Sequence, residues 1–270
     1  MALSTACSGA RTPEAAGSRT SAPTGGATAP TAVRPPTANA VFDYQLGGAY
    51  PPPAGVRAVS RDRTARPAPG LYNICYVNAF QAQPDAAGVW KERHPELLLR
   101  DGRGEPVIDE DWNEPLLDIS TGAKRRALMD IVGPWIDGCA KAGFDAVEPD
   151  NLDSYERSGG KLTSRHAAAF AQLLAHRAHR RHLAIAQKNT TGLLPQHRRI
   201  GFDFAVVEEC ARYQEFTDFA EAYAQRIFVI EYEKKDFTTA CRAWGKALSI
   251  SLRDREVRPA GAERHVAERC

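Results

Sequence analysis

The chain is 270 residues long, 43% hydrophobic and 25% charged, with a formal net charge of +2. These proportions are those of an ordinary soluble domain, and the near-neutral charge gives no electrostatic case for nucleic-acid binding. No apolar run reaches the roughly 18 residues of a membrane span, so no transmembrane helix is expected. The six cysteines, none in a CxxC pair, argue against a zinc knuckle or a thioredoxin-like site and are too few to build the fold on disulfides.

Residues 1–40 are rich in Ala, Thr, Ser, Pro and Gly and nearly lack large apolar side chains. Such a segment cannot bury enough surface to offset its ordering entropy, and a disordered linker is expected. Within it, Leu3-Ser4-Thr5-Ala6-Cys7-Ser8-Gly9 has the form of the end of a lipoprotein signal, with Cys7 as the lipidated residue. Only Met1 and Ala2 precede Leu3, where an apolar segment belongs. The expectation is export, either secreted or lipid-anchored at the cell surface.

Composition changes at Phe42. Phe42-Asp43-Tyr44-Gln45-Leu46 reads as an aromatic prelude ahead of a turn at Pro51-Pro52-Pro53. Eight short apolar runs follow, at 56–62, 71–78, 116–120, 144–150, 182–189, 202–208, 226–232 and 247–252. Their near-continuous apolar character suits strands covered on both faces. Cys75 and Cys210 lie in or beside such runs and are read as buried inert thiols.

Helical periodicity fills the gaps. Residues 122–142 place Leu128, Ile131, Val132, Trp135, Ile136 and Cys139 on one face. Residues 162–181 do the same with Phe170, Leu173, Leu174 and Ala178, after a cap at Thr163 or Ser164. Shorter helices are expected at 84–94, 217–225 and 237–246, with a hairpin turn at Asp101-Gly102-Arg103-Gly104. Strands alternating with helices in this way predict an α/β fold, a (β/α)8 barrel over residues 41–256 as a single domain. A polar tail at 257–270 is expected to fray. A doubly wound sheet competes, but no GxGxxG follows the first strand.

In a barrel the strand ends converge on one mouth. The residues there would be Asp62, Asn78, Asp118, Asp150 with Asn151 and Asp153, Lys188 with Asn189, Glu208 with Glu209, and Glu231. One acid after a strand is usually a cap. A ring of them raises mutual repulsion that stability alone gives no reason to keep, and therefore points to a site. Tyr44, Tyr50, Tyr76, Trp112, Tyr155, Tyr213 and Tyr232 lie near the same ends and could stack on sugar rings or simply pack.

Three chemistries fit such a mouth. Zinc would want His at strand ends, and most of the seven His fall on helices or loops, whereas magnesium would accept oxygen ligands alone. Lys188 stands where Schiff-base lysines occur, but neighbouring carboxylates would keep it protonated as a hydrogen-bonding or charge-balancing group. Glycoside hydrolysis needs two carboxyl groups flanking one bond, and Asp150 and Glu208 close the fourth and sixth predicted strands.

The stretch Gly143-Phe144-Asp145-Ala146-Val147-Glu148-Pro149-Asp150-Asn151-Leu152-Asp153-Ser154-Tyr155 carries a resemblance, together with Tyr44-Gln45-Leu46, Ile74-Cys75-Tyr76, Leu117-Asp118-Ile119, Gln187-Lys188-Asn189, Glu208-Glu209-Cys210, Tyr213 and Glu231-Tyr232. In this order and spacing the chain resembles glycoside hydrolase family 114, the endo-α-1,4-polygalactosaminidase family, over about residues 42–255. The resemblance implies an endo-acting hydrolase of an α-1,4-linked galactosamine-type polysaccharide, working with retention. It implies Asp150 as nucleophile and Glu208 as acid/base, with Lys188, Asp118, Glu148, Asn151, Asp153 and Tyr76 along the substrate subsite. Neither a cofactor nor a partner copy is expected. The family's small-residue turn after Tyr76 is replaced by Val77-Asn78-Ala79-Phe80, and its Trp-Leu-Asp lead-in by Pro115-Leu116-Leu117-Asp118. Both changes fall in mouth loops and bear on the substrate. A barrel that binds polysaccharide without cleaving it, and a magnesium-dependent hydrolase or lyase, are the alternatives.

Overall fold

Eight short parallel strands form the frame: β1 Phe42–Gln45, β2 Ala58–Asp62, β3 Tyr72–Asn78, β4 Ala146–Asp150, β5 Ala184–Lys188, β6 Phe204–Glu208, β7 Ile227–Glu231 and β8 Ser249–Arg253. The computed structural model describes residues 32–86 and 88–270. Each strand pairs in parallel with the next, from β1 through β8. The ring is nearly closed, and Ser251 Oγ donates to Phe42 O across the remaining gap at 3.2 Å. A ninth strand, β9 Ala267–Arg269, adds antiparallel to β8. With helices packed between the strands from β3 to β8, this is a (β/α)8 barrel.

Side-chain alternation explains both apolar layers. Phe42, Tyr44, Ile74, Phe204, Val206, Phe228 and Ile230 fill the barrel interior, opposite the small Ala58, Ala146, Ala184 and Ala186. Phe42 stacks on Phe228 at 4.3 Å between ring centres, a contact that needs small neighbours around it. The intervening residues Cys75, Val77, Val147, Ile185, Ala205, Val207 and Val229 pack outward against the helices. That two-sided burial is why the strands read as continuous apolar runs.

The strand assignment needs one exchange. The prelude at Phe42–Gln45 is itself the first barrel strand, and its outward Asp43 is satisfied by Tyr50 Oη at 3.0 Å and Gln45 Nε2 at 2.8 Å. Residues 116–120, expected as the third strand, belong instead to the long segment between β3 and the first helix. Leu116 and Leu117 make only isolated bridges to Gln81 and Leu98. They are fully buried beneath that segment, and a buried apolar run looks the same to periodicity whether or not it joins a sheet. The two changes cancel in the count, so Asp150 and Glu208 still end the fourth and sixth strands.

Helix α1, Gly122–Ala142, starts where Thr121 Oγ1 accepts from Lys124 N and stops at Gly143, whose φ of 94° is left-handed. Helix α2, Ser164–Arg180, is capped by Thr163, and α3, Phe216–Tyr223, and α4, Lys234–Trp244, follow later strands. The helix expected at 84–94 is a short 3-10 turn at Pro84–Ala86 and a wider π-type turn at Gly88–Arg93. Among the described residues no helix is long and apolar enough to cross a membrane.

Both ends of the domain differ from expectation. Of the segment assigned to a linker, residues 1–31 and with them Cys7 lie outside the described residues, but from residue 32 onward the chain is held. Val33 packs on the interior cluster, Arg34 O accepts from Tyr72 Oη at 2.8 Å, and Asn39 Nδ2 donates to Lys246 O at 3.0 Å. The tail at 257–270 is held as well, by β9 and by a Cys241–Cys270 disulfide. A second disulfide, Cys75–Cys139, joins β3 to α1, so Cys75 is a bridged half-cystine rather than an inert thiol. Closing loops of 64 and 29 residues is worth about 4 kcal/mol each on chain-entropy grounds. Cys210 is a buried free thiol.

Candidate active site

Alternation along β4 points Glu148 and Asp150 into the barrel and turns Pro149 away, where its missing N–H is least harmful. The same parity along β5 and β6 aims Lys188 and Glu208 at the same point. Lys188, only 1% exposed, sits at the centre. Its ammonium lies 3.0 Å from Asp150 Oδ1, 3.2 Å from Glu208 Oε2 and 3.5 Å from Glu148 Oε1, and donates to Tyr44 Oη at 3.2 Å.

Charge balance follows from these contacts. Burial pushes the Lys188 ammonium toward neutrality, but Asp150, Glu208 and Glu148 outweigh it and hold its pKa well above the ordinary value. The amine is therefore protonated and is not a nucleophile. Burial would raise the Asp150 carboxyl too, yet Lys188, the Tyr76 hydroxyl at 2.7 Å and the Asn151 N–H at 2.8 Å hold it below its usual range. Glu148, fully buried, is the exception. Its desolvation exceeds the help from Lys188, Ser60 Oγ at 2.6 Å and Tyr44 Oη at 2.7 Å, and its pKa is raised.

Glu208 is gripped separately. Asn189 Nδ2 donates to its Oε2 at 3.0 Å, Asn189 Oδ1 accepts the Glu208 N–H at 2.8 Å, and Tyr232 Oη donates to Oε1. Burial raises the pKa of Tyr44, Tyr76 and Tyr232 well above normal, so all three remain donors. Directly after Asp150, Lys188 and Glu208 stand Asn151, Asn189 and Glu209, with φ of 65°, 50° and 52°. Left-handed backbone at three non-glycine positions costs free energy and turns each strand end sharply out of the sheet.

Above these groups opens a cleft of about 310 Å³. The segment following β3 forms one wall, through Asp109, Asp111, Trp112 and Glu114 of a hairpin whose strands are Ile108–Asp109 and Glu114–Pro115. Acids outnumber bases around it, with Asp62, Asp153 and Glu256 adding to those of the hairpin against Arg157, Lys188 and Arg255. An ionised Asp150 and a second carboxyl, Glu208, set around a protonated lysine beneath an acidic cleft, are suited to acid/base and nucleophilic work on a polar substrate.

The model of glycoside-hydrolase family GH114 matches residues 22–270. The chain belongs to family GH114. It is a glycosidase, and the cleft is its candidate catalytic centre. The GH114 chain is similar in fold to Ega3 of Aspergillus fumigatus, solved in complex with galactosamine, with a TM-score of 0.71 and 23% identity over 90% of this chain and 100% of that one. It is also similar to the glycoside hydrolase domain of PelA from Pseudomonas aeruginosa, with a TM-score of 0.58 and 16% identity over 83% and 97% of the two chains. None of the curated protein sequences matches it.

The GH114 barrel brings together Tyr44, Tyr76, Glu148, Asp150, Lys188 and Glu208, and lines the cleft wall with Asp62, Asn78, Asn151 and Asp153. Four expected residues lie elsewhere. Asp118 caps the approach to α1, accepting from Ser120 N at 3.0 Å and pairing with Lys124 at 3.5 Å, because its segment is not a barrel strand. Tyr155 shares a hydrogen bond with Thr190 Oγ1 at 2.9 Å and lies over Gly192, tying two loops. Tyr213 is exposed beneath Arg212. Glu231 is out of phase: Phe228 and Ile230 face inward, so Glu231 faces the helices and Tyr232 takes the inward place. Ser60, Asp109 and Arg157 are not singled out from sequence, whereas Asn189 is expected at the mouth beside Lys188 and Tyr232 as an aromatic that stacks on sugar or packs. Counting inward positions along β2 and β7 is the signal that finds Ser60 and Tyr232.

Glu231 carries a testable burden. One oxygen accepts from Ala211 N at 2.8 Å, the other is buried without a hydrogen-bond partner, and desolvation pushes the carboxyl up to about 7. The folded state then binds the proton more tightly than the unfolded chain. Stability is complete below the ordinary value of 4.5 and falls by up to about 3 kcal/mol as pH rises through 7. Glu231→Gln should flatten this slope and melt higher than wild type at pH 8. Parallel melting curves for the two proteins from pH 4.5 to 8 would contradict it.

Proposed function

We propose that the protein is a retaining endo-glycosidase of an α-1,4-linked galactosamine-type polysaccharide, with Asp150 as nucleophile and Glu208 as acid/base. The observation that carries this reading is the shared ammonium. Because Asp150 Oδ1 and Glu208 Oε2 both touch Lys188 Nζ, those oxygens lie at most about 6 Å apart, which supports the close carboxyl spacing, roughly 5–5.5 Å, of a retaining pair. Asp150, held ionised, attacks the anomeric carbon while Glu208 gives its proton to the departing glycosidic oxygen. A glycosyl ester on Asp150 results. Glu208 then takes a proton from water, which attacks the same carbon, frees Asp150 and restores the original configuration.

The acidic cleft supports a cationic chain as substrate, and the galactosamine in the related Aspergillus structure supports an amino sugar. Trp112, 50% exposed on the hairpin, supplies a stacking face along an open cleft, as internal cleavage requires. We also place the protein outside the cytoplasm, anchored through Cys7 or free, and acting as a monomer. Two disulfides support an oxidising compartment. The test is digestion of polygalactosamine, with reducing ends counted and the first-formed anomer followed by NMR. An α product appearing first is expected. A β product, or an unshortened polymer, overturns the proposal.

A further inference from the structure

We propose that Arg157 is a positioning residue that fastens the acidic hairpin over the cleft to the turn carrying Asp150, and so sets the orientation of that carboxylate. The inference rests on the reading above, in that Asp150 is taken to react.

The guanidinium joins two separate loops. Its Nε lies 2.6 Å from Asp109 Oδ2 on the hairpin, a close ion pair in which the N–H is not aimed at the oxygen, while Nη2 donates to Asp153 Oδ1 at 2.9 Å and Asn151 Oδ1 at 3.3 Å on the turn. Asp109 is itself fixed. It is 1% exposed, takes Gln81 Nε2 at 2.7 Å and accepts the Asp111 N–H at 3.0 Å. A second thread runs from the other hairpin strand, where Glu114 Oε2 accepts from Asn78 Nδ2 at 2.8 Å and Asn78 Oδ1 accepts from Asn151 Nδ2 at 3.1 Å. Both threads end on Asn151.

Asn151 is the residue through which they act. Its left-handed φ of 65° persists only where surrounding contacts enforce it, and its N–H is one of the three donors that orient Asp150. Arg157 suits the task because its guanidinium spreads one charge over a rigid plane that meets carboxylates of two loops at once, which a lysine's single ammonium does not reproduce. A chain lying along Asp111 and Trp112 therefore presses on a hairpin that is coupled to the reacting carboxylate. Binding energy from distant sugars can in this way be expressed in kcat rather than in KM alone.

The experiment compares wild type with Arg157→Lys, Arg157→Gln and Asp109→Asn on long polygalactosamine and on a short oligosaccharide that does not reach the hairpin. Arg157→Gln should lower kcat about tenfold to a hundredfold, as expected for a misplaced reacting group. It should also move the acid limb of kcat/KM upward, since one cation near Asp150 is lost while Lys188, Glu148, Glu208, Tyr76, Tyr44 and Tyr232 still face it. Arg157→Lys should keep the limb in place with kcat still low. Asp109→Asn should shrink the advantage of long over short substrate. If Arg157→Gln lowers only the melting temperature, with kcat and the limb unchanged, the inference fails. If it does not fold, wild-type kcat in Arg157→Lys together with wild-type length dependence in Asp109→Asn overturns it equally. A wild type that cleaves neither substrate overturns the functional reading instead.

Discussion

Asp150→Asn should lose at least about a thousandfold in kcat on polymer while melting within a few degrees of wild type. The amide keeps the size of the side chain and an acceptor for Tyr76, so the loss reports the missing negative charge at the anomeric carbon. Glu208→Gln should be comparably poor on polymer but should recover on a substrate whose leaving group departs without protonation. Activation bypasses the acid step and leaves nucleophilic attack untouched. Asp150→Asn should show no such recovery. The contrast assigns the two roles, and recovery in Asp150→Asn alone would reverse them.

Lys188→Met should destabilise the protein by about 3–5 kcal/mol and cost at least about a hundredfold in kcat. Three carboxylates would then face one another around an apolar side chain, and they would take up protons in the range where the enzyme must keep Asp150 ionised. The acid limb of kcat/KM should rise accordingly. In the wild type, the contribution of Lys188 is complete below its ordinary pKa of 10.5 and is lost only as pH climbs through the higher folded value. That of Asp150 is present above its ordinary 3.8 and is lost as pH falls through the depressed folded value. Denaturant titrations of wild type and variant at pH 7 decide the matter, and equal midpoints would remove Lys188 from the centre of the charge balance.

Much of this site was legible because a strand has a period of two. Once Phe204 and Val206 are taken as inward, Glu208 follows, and Ala184 and Ala186 lead in the same way to Lys188. The same parity separates Glu231 from Tyr232, one residue apart on opposite faces, which strand-end position alone does not. The run at 116–120 misled because burial beneath a loop and burial in a sheet draw on the same residues. Asp43 hid the first strand, because a charge satisfied by Tyr50 and Gln45 looks in sequence like an exposed turn. Arg157 and Asp109 were invisible for lack of any local pattern. Their contact joins positions that only the folded loops bring together.

The lysine at the centre also bears on how the cleft responds to salt. The innermost carboxylates share one built-in cation before anything binds, so a cationic ligand has fewer mobile counterions to displace there than from acids that lack such a partner. The outer acids, such as Asp62 and Asp111, line the cleft without such a built-in lysine. Ionic strength therefore governs how a charged chain is gathered at the rim and leaves the reacting centre largely untouched.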